Sequence, residues 1–171
     1  MPQKMPVVRQ LRWGALVPQS VPIAVFAFVI HASVPRLLWS HSIFFAALSY
    51  LIICRILRAT LTRDHIAGMA AYRAQLFDEA ISHFQASYRF FSAHRRLDSF
   101  RSLLLGVASY NSYRVIALCN MAYCYTQIGQ GHEAIKLYEQ ALIEAPDCML
   151  AKASLNMLRS ASTAPHAAQS A

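Results

Sequence analysis

Apolar residues change their pattern near residue 62. Before it they come in unbroken runs, and after it they recur at helical spacing among polar and charged positions. The first run, GALVPQSVPIAVFAFVIHASV at 14–34, carries no formal charge from end to end. A bilayer core needs about 20 apolar residues to be crossed, so this run predicts a membrane span. Pro18 and Pro22 lie near its beginning, where an irregular first turn is tolerable, and His31 lies close enough to the other end to reach the interface. The second run, LLWSHSIFFAALSYLIIC at 37–54, is shorter and carries Ser40, His41 and Ser42 in its first turns. Its apolar heart begins at Ile43, and Arg55 can snorkel while Ile56 and Leu57 extend the buried stretch to 57. Pro35 and Arg36 leave room only for a tight turn, which predicts a helical hairpin.

From Thr62 onward the apolar positions follow amphipathic helical periodicity with no sustained strand alternation, so the class is all-α. The segment also repeats itself. DEAISHFQASY at 78–88 is answered by HEAIKLYEQAL at 132–142, with Ala80 matching Ala134 and Phe84 matching Tyr138. Small residues at Ala122 and Ala134 let paired helices approach, and Tyr125 and Tyr138 fill the space between them. Gly129 suits the exit from a first helix, and Pro146 stops a second one.

These residues resemble the tetratricopeptide repeat family. In RVIALCNMAYCYTQIGQGHEAIKLYEQALIEAP, the residues Asn120, Met121, Tyr125, Gly129, Ala134, Tyr138, Ala141 and Pro146 fall at the family's signature spacings. Ala122 takes a position that is often glycine, and Leu118 replaces a frequent tryptophan. The earlier copy, DHIAGMAAYRAQLFDEAISHFQASYRFF, keeps Gly68, Tyr72, Phe77, Ala80 and Phe84 but lacks the closing proline. The step from Ala80 to Ala134 is much longer than the family repeat of about 34, so an insert is expected at 92–111. There Leu97, Phe100, Leu103, Leu104 and Val107 recur at helical spacing, predicting an extra helix or a long extension packed on the repeats.

The predicted layout is a basic N-terminus at 1–13, a transmembrane hairpin at 14–34 and 37–57, a degenerate repeat at 62–91, the insert, a full repeat at 112–146, a capping helix at 147–160 and a disordered tail at 161–171. The repeat part is expected to form an antiparallel helix-pair domain of the α-α superhelix kind. Two repeats fall below the three or so that a stable array needs, so the extra helices or self-association would complete the core.

Charge adds an orientation. The net charge is +8. Lys4, Arg9, Arg12, Arg36, Arg55, Arg58 and Arg63 all lie before the first acidic residue, Asp64, and the rest of the chain is nearly neutral. The basic residues flank the apolar runs and do not gather on the folded part, which argues against nucleic acid as a partner. Only Arg36 separates the two runs, so both termini are expected in the cytoplasm, with a bacterial inner membrane as the setting. Trp13 and Trp39 fall where interfacial aromatics belong. Two other readings stay open: a cleaved signal peptide, whose core is usually about 7–15 residues, and a buried hairpin of a soluble protein. The apolar fraction of 56% is high beside the roughly 45–50% usual for globular domains, which favours lipid burial.

No Gly-rich phosphate loop, GxSxG elbow, HExxH or carboxylate pair is present, and no catalytic, cofactor or metal site is predicted. Cys54, Cys119, Cys124 and Cys148 form no CxxC pair, and Cys119 and Cys124 would point about 140° apart on one helix. They are expected to be buried free thiols. The tract RFFSAHRR at 89–96 combines aromatic and basic residues and reads as a solvated helix end or a weak contact with acidic lipid. The family resemblance implies a protein-binding scaffold whose concave groove is lined here by His65, Met69, Tyr72, Arg73, Cys119, Tyr123, Thr126 and Gln127. Some family members clamp a chaperone tail's carboxylate with Lys, Arg and Asn; only Asn120 fits that scheme, while His65 and Met69 stand where it needs other chemistry. The expected function is therefore a membrane-anchored adaptor that binds a protein partner. The alternative is a small accessory subunit of a membrane transporter or enzyme complex, in which the hairpin does the main work.

Overall fold

The computed structural model describes residues 42–106 and 109–163, together with helical positions Ser20, Val21, Ala24, Val25, Phe28, Val29 and Ala32. From residue 42 onward the described chain is built of helices: α1 (Ser42–Leu61), α2 (Arg63–Arg73), α3 (Phe77–Ala93), α4 (Arg95–Ser99), α5 (Arg101–Leu104), α6 (Tyr113–Gln127), α7 (Gly131–Glu144) and α8 (Met149–Thr163). They divide into two compact units. One draws on Met1–Arg63 and Arg95–Tyr110, the other on Asp64–His94 and Asn111–Ala171.

In the first unit α1 carries Phe44, Phe45, Leu48, Leu51, Ile52, Ile53 and Ile56 exposed, and buries Tyr50 and Cys54. The Tyr50 hydroxyl donates to the Leu103 carbonyl at 2.8 Å, which ties α1 to α5. No helix among the described residues is long and apolar enough to cross a membrane. The predicted span at 14–34 lies outside the described residues apart from the isolated positions named above, and so do 37–41 of the second span. What is described of that second span is α1, which runs past 57 to Leu61 and includes Arg55 and Arg58.

At 92–111, where an extra helix or a long extension packed on the repeats is predicted, the structure breaks the segment up. It holds two short helices, α4 and α5, and 95–110 belong to the unit of the N-terminal residues. Arg101 explains the shape. Its guanidinium donates to the backbone carbonyls of Asp98 at 2.9 Å, Ser109 at 2.9 Å and Tyr110 at 3.0 Å, which folds the segment back on itself. Gly106, in the left-handed region at φ 59°, ends the helical stretch. Phe100 and its neighbours thus form no continuous apolar stripe, and Phe100 itself is exposed.

The second unit is a series of helix pairs in which α3 packs on α6, α6 on α7 and α7 on α8. α6 is central, burying Val115, Ala117, Leu118, Cys119, Asn120, Met121, Ala122 and Cys124 on nearly every face. A helix apolar all round belongs inside. Ser112 starts it, its hydroxyl accepting from the Val115 amide at 3.3 Å, so one of the otherwise orphaned N–H groups is satisfied. Phe84, Phe91 and Leu118 are the largest side chains fully removed from water, each contributing roughly 1.5–3 kcal/mol.

The two copies agree atom by atom at their turns. In the first, the Leu76 amide donates to Ala71 O and that of Gln75 to Tyr72 O. In the second, the Gln130 amide donates to Tyr125 O and that of Gly129 to Thr126 O. Both are the Schellman pattern, in which one left-handed residue satisfies the last carbonyls of a helix. Aligned on these turns, Ala71 and not Tyr72 answers Tyr125, so Tyr72 stands one residue after the signature position expected of it, while Gly68, Ala80 and Phe84 keep their register. α3 also runs to Ala93, where α7 stops at Glu144, because Ser92 occupies the place of Pro146. The last helix continues to Thr163, past the predicted end at 160; 164–171 lie outside the described residues.

Candidate protein-binding face

Seven of the eight predicted groove residues lie half-buried or exposed on α2 and α6: His65, Met69, Tyr72, Arg73, Tyr123, Thr126 and Gln127. The rings of Tyr72 and Tyr123 meet edge to face, centroids 5.5 Å apart at 70°. Phe77 adds a third ring 6.3 Å from Tyr72. Such pairs contribute about 0.5–1.5 kcal/mol beyond their burial and hold both rings in place. Met69 is fixed from below, since the Asn120 amide donates to its sulfur at 3.6 Å. Asn120 is itself buried, so this weak acceptor is what the structure provides for its N–H. The Thr126 hydroxyl turns back to its own helix, donating to Ala122 O at 2.8 Å. Arg73 and Gln127 are exposed at the C-terminal ends of their helices.

Burial first, and the Tyr123 hydroxyl second, push the Tyr72 hydroxyl up to about 12. It therefore stays protonated across the physiological range and offers a neutral donor.

His65 and Cys119 are the two that pack against other parts of the chain. His65 is packed between Phe84 and Tyr113, ring centroids at 5.5 and 5.3 Å. Cys119 is buried, with its sulfur 4.0 Å from that of Cys148. Both positions follow the groove register of their helices; Tyr113 packs on the half-buried His65, and the turn before α8 covers Cys119.

The signature residues form the support. Ala80, Phe84, Ala122, Ala134, Tyr138 and Ala141 are all in one core cluster, with Tyr125 packed against it. Gly68 is buried directly beneath Phe84: a Cβ added there would lie 2.8 Å from the ring. Gly129 sits exposed at φ 79°, and Pro146 is exposed just after α7.

A polar cluster absent from the sequence reading joins the two pairs. The Tyr88 hydroxyl donates to Glu144 Oε1 at 3.0 Å and accepts from the Gln140 amide at 2.9 Å. Arg114 Nη1 forms an ion pair with Glu144 Oε2 at 3.0 Å. Burial and the neighbouring Glu144 carboxylate raise the Tyr88 pKa, keeping it the donor. Gln140 and Glu144 lie one helical turn apart, but Tyr88 and Arg114 come from other helices, and periodicity within a helix could not connect them.

Among the described residues no three His, Cys, Asp or Glu side chains could together hold a metal ion. Comparison with protein-family models, with curated proteins and with solved structures finds no match for the chain.

Proposed function

We propose that this chain is a membrane-anchored scaffold of the tetratricopeptide type, binding a protein partner on the face of α2 and α6. The observation that carries the reading is the aromatic patch of Met69, Tyr72 and Tyr123, held rigid from beneath and flanked by Arg73 and Gln127. Rigid tyrosines with an arginine at the edge are the residues that concentrate binding energy at protein interfaces. Ordered beforehand, they lose little conformational entropy when a partner docks. The chemistry suits a peptide segment that places an apolar side chain against the rings and a carboxylate or carbonyl near Arg73. The identical backbone bonding of the two turns and the matching burial of Ala80 with Ala134 and of Phe84 with Tyr138 support the repeat assignment.

The anchor rests on the uncharged run at 14–34 and on the apolar exposure of α1. That exposure also favours a second reading, in which α1 packs against another membrane subunit and the helical pairs serve assembly. In situ photocrosslinking separates them. A photoreactive residue at 123 should trap a discrete partner, lost with Arg73→Ala. One at 52 should trap lipid under the first reading and a fixed protein under the second. Extraction of the chain from membranes by carbonate would end the integral-anchor reading.

A further inference from the structure

Cys119, inside α6, and Cys148, one residue before α8, bring their sulfurs to 4.0 Å although they stand far apart in the sequence. Both are buried among Leu118, Ala122, Tyr138 and Ala151 in the core cluster. The surroundings distinguish the two thiols. Cys148 stands at the start of α8, its carbonyl accepting from Lys152 at 3.1 Å, so the first free N–H groups of the helix converge on its side chain. The Asn111 amide donates to the Cys148 sulfur at 3.6 Å. The hydrogen bond from Cys119 comes first in holding the Cys148 thiol down to about 6, with burial opposing it and the amides of Ala151, Leu150 and Asn111 assisting. Cys119, as donor, is pushed the other way by the same bond and by burial. Cys124, with no such helix start beside it, is raised to about 11 by burial alone.

The geometry points to Cys119 and Cys148 as a reversible dithiol–disulfide site, with Cys148 the attacking sulfur and a small hydroperoxide the oxidant. The Cys148 thiolate attacks one oxygen of hydrogen peroxide. The O–O bond breaks, hydroxide leaves and takes a proton to become water, and Cys148 carries a sulfenic acid. The Cys119 sulfur then attacks the Cys148 sulfur, the S–O bond breaks, and the departing hydroxide leaves as water with the proton from Cys119. Two thiols and one peroxide give one disulfide and two waters, two electrons passing from sulfur to oxygen. The sulfurs must close from 4.0 Å to about 2.05 Å, the step a side-chain rotation supplies. Access requires local opening at the first turn of α8, whose Met149 is already exposed. Once formed, the bond joins α8 covalently to the helix that carries Tyr123.

The test uses the full chain, reduced, freed of reductant and exposed to hydrogen peroxide, then blocked with a thiol alkylator under denaturing conditions and digested without reduction. In a Cys124→Ser chain, trypsin separates the two sulfurs into peptides 115–136 and 137–152. The expected result is these two peptides linked, short of two hydrogens, and separated again by dithiothreitol. Cys119→Ser should remove the link and leave Cys148 reactive toward dimedone, the probe of sulfenic acid, while Asn111→Leu should slow linkage without altering the helical circular dichroism. A disulfide to Cys54, a link only between chains, or no linkage at peroxide levels that oxidise Cys54 would overturn the proposal.

Discussion

Between the helices of the first pair the left-handed residue is Gln75, at φ 61°; at the matching place in the second pair it is Gly129, at φ 79°. The backbone hydrogen bonds around them are the same. In the first pair the close approach of the helices is made by Gly68 under the Phe84 ring, whereas the second has Ala122 at that place. Each pair therefore uses its glycine at a different point, one for packing and the other for the turn. A common geometry is reached through complementary local compromises. The first pair accepts about 0.5–1 kcal/mol of lost helix propensity at Gly68 and the strain of a left-handed glutamine.

Substitutions at matched positions can break this comparison. The largest effect is expected in the aromatic wedges: Phe84→Ala and Tyr138→Ala should each cost about 3–5 kcal/mol in urea unfolding of the full chain followed by far-ultraviolet circular dichroism. A cost confined to one of them would mean that the pairs do not share a core. Gly68→Ala comes next. Its Cβ would meet a fully buried ring at 2.8 Å, so overpacking of about 1–3 kcal/mol should outweigh the helix propensity gained. A stabilised variant would show that the Phe84 ring can move aside. The smallest effects are at the turns and have opposite signs. Gly129→Ala should lose about 1–2 kcal/mol, whereas Gln75→Gly should gain about 0.5 kcal/mol, relief of left-handed strain exceeding the added backbone entropy. Equal signs at the two turns would contradict their equivalence.

Gly129 and Pro146 were legible because each carries a backbone constraint of its own, and Ala80, Ala134, Phe84 and Tyr138 because burial imposes period and size together. Gln75 was not, since nothing in a glutamine announces positive φ; only its alignment with Gly129 does. The one-residue slip at Tyr72 has a related cause. A tyrosine attracted the signature position that Ala71 holds, and the displaced ring instead joins Tyr123 on the surface. Of the predicted groove, the half-buried and exposed positions on α2 and α6 were readable from helical spacing. The contacts of His65 and Cys119 were not, because their partners, Tyr113 and Cys148, come from segments far along the chain. In the insert, apolar spacing predicts a helix or an extension but says nothing of the three carbonyls that Arg101 gathers, and so nothing of the break between the two short helices.

Phe91 and Tyr113 lie flat against each other, centroids 4.7 Å apart and planes 11° from parallel, just where the chain leaves the second unit and just where it re-enters. The two rings act as a clasp on a domain written in two pieces. With the ends held there, the intervening loop contributes only a closure entropy that grows with the logarithm of its length, so that doubling or halving it changes stability by about 0.6 kcal/mol. Length between residues 94 and 111 is thus a weak lever on the stability of the helix pairs.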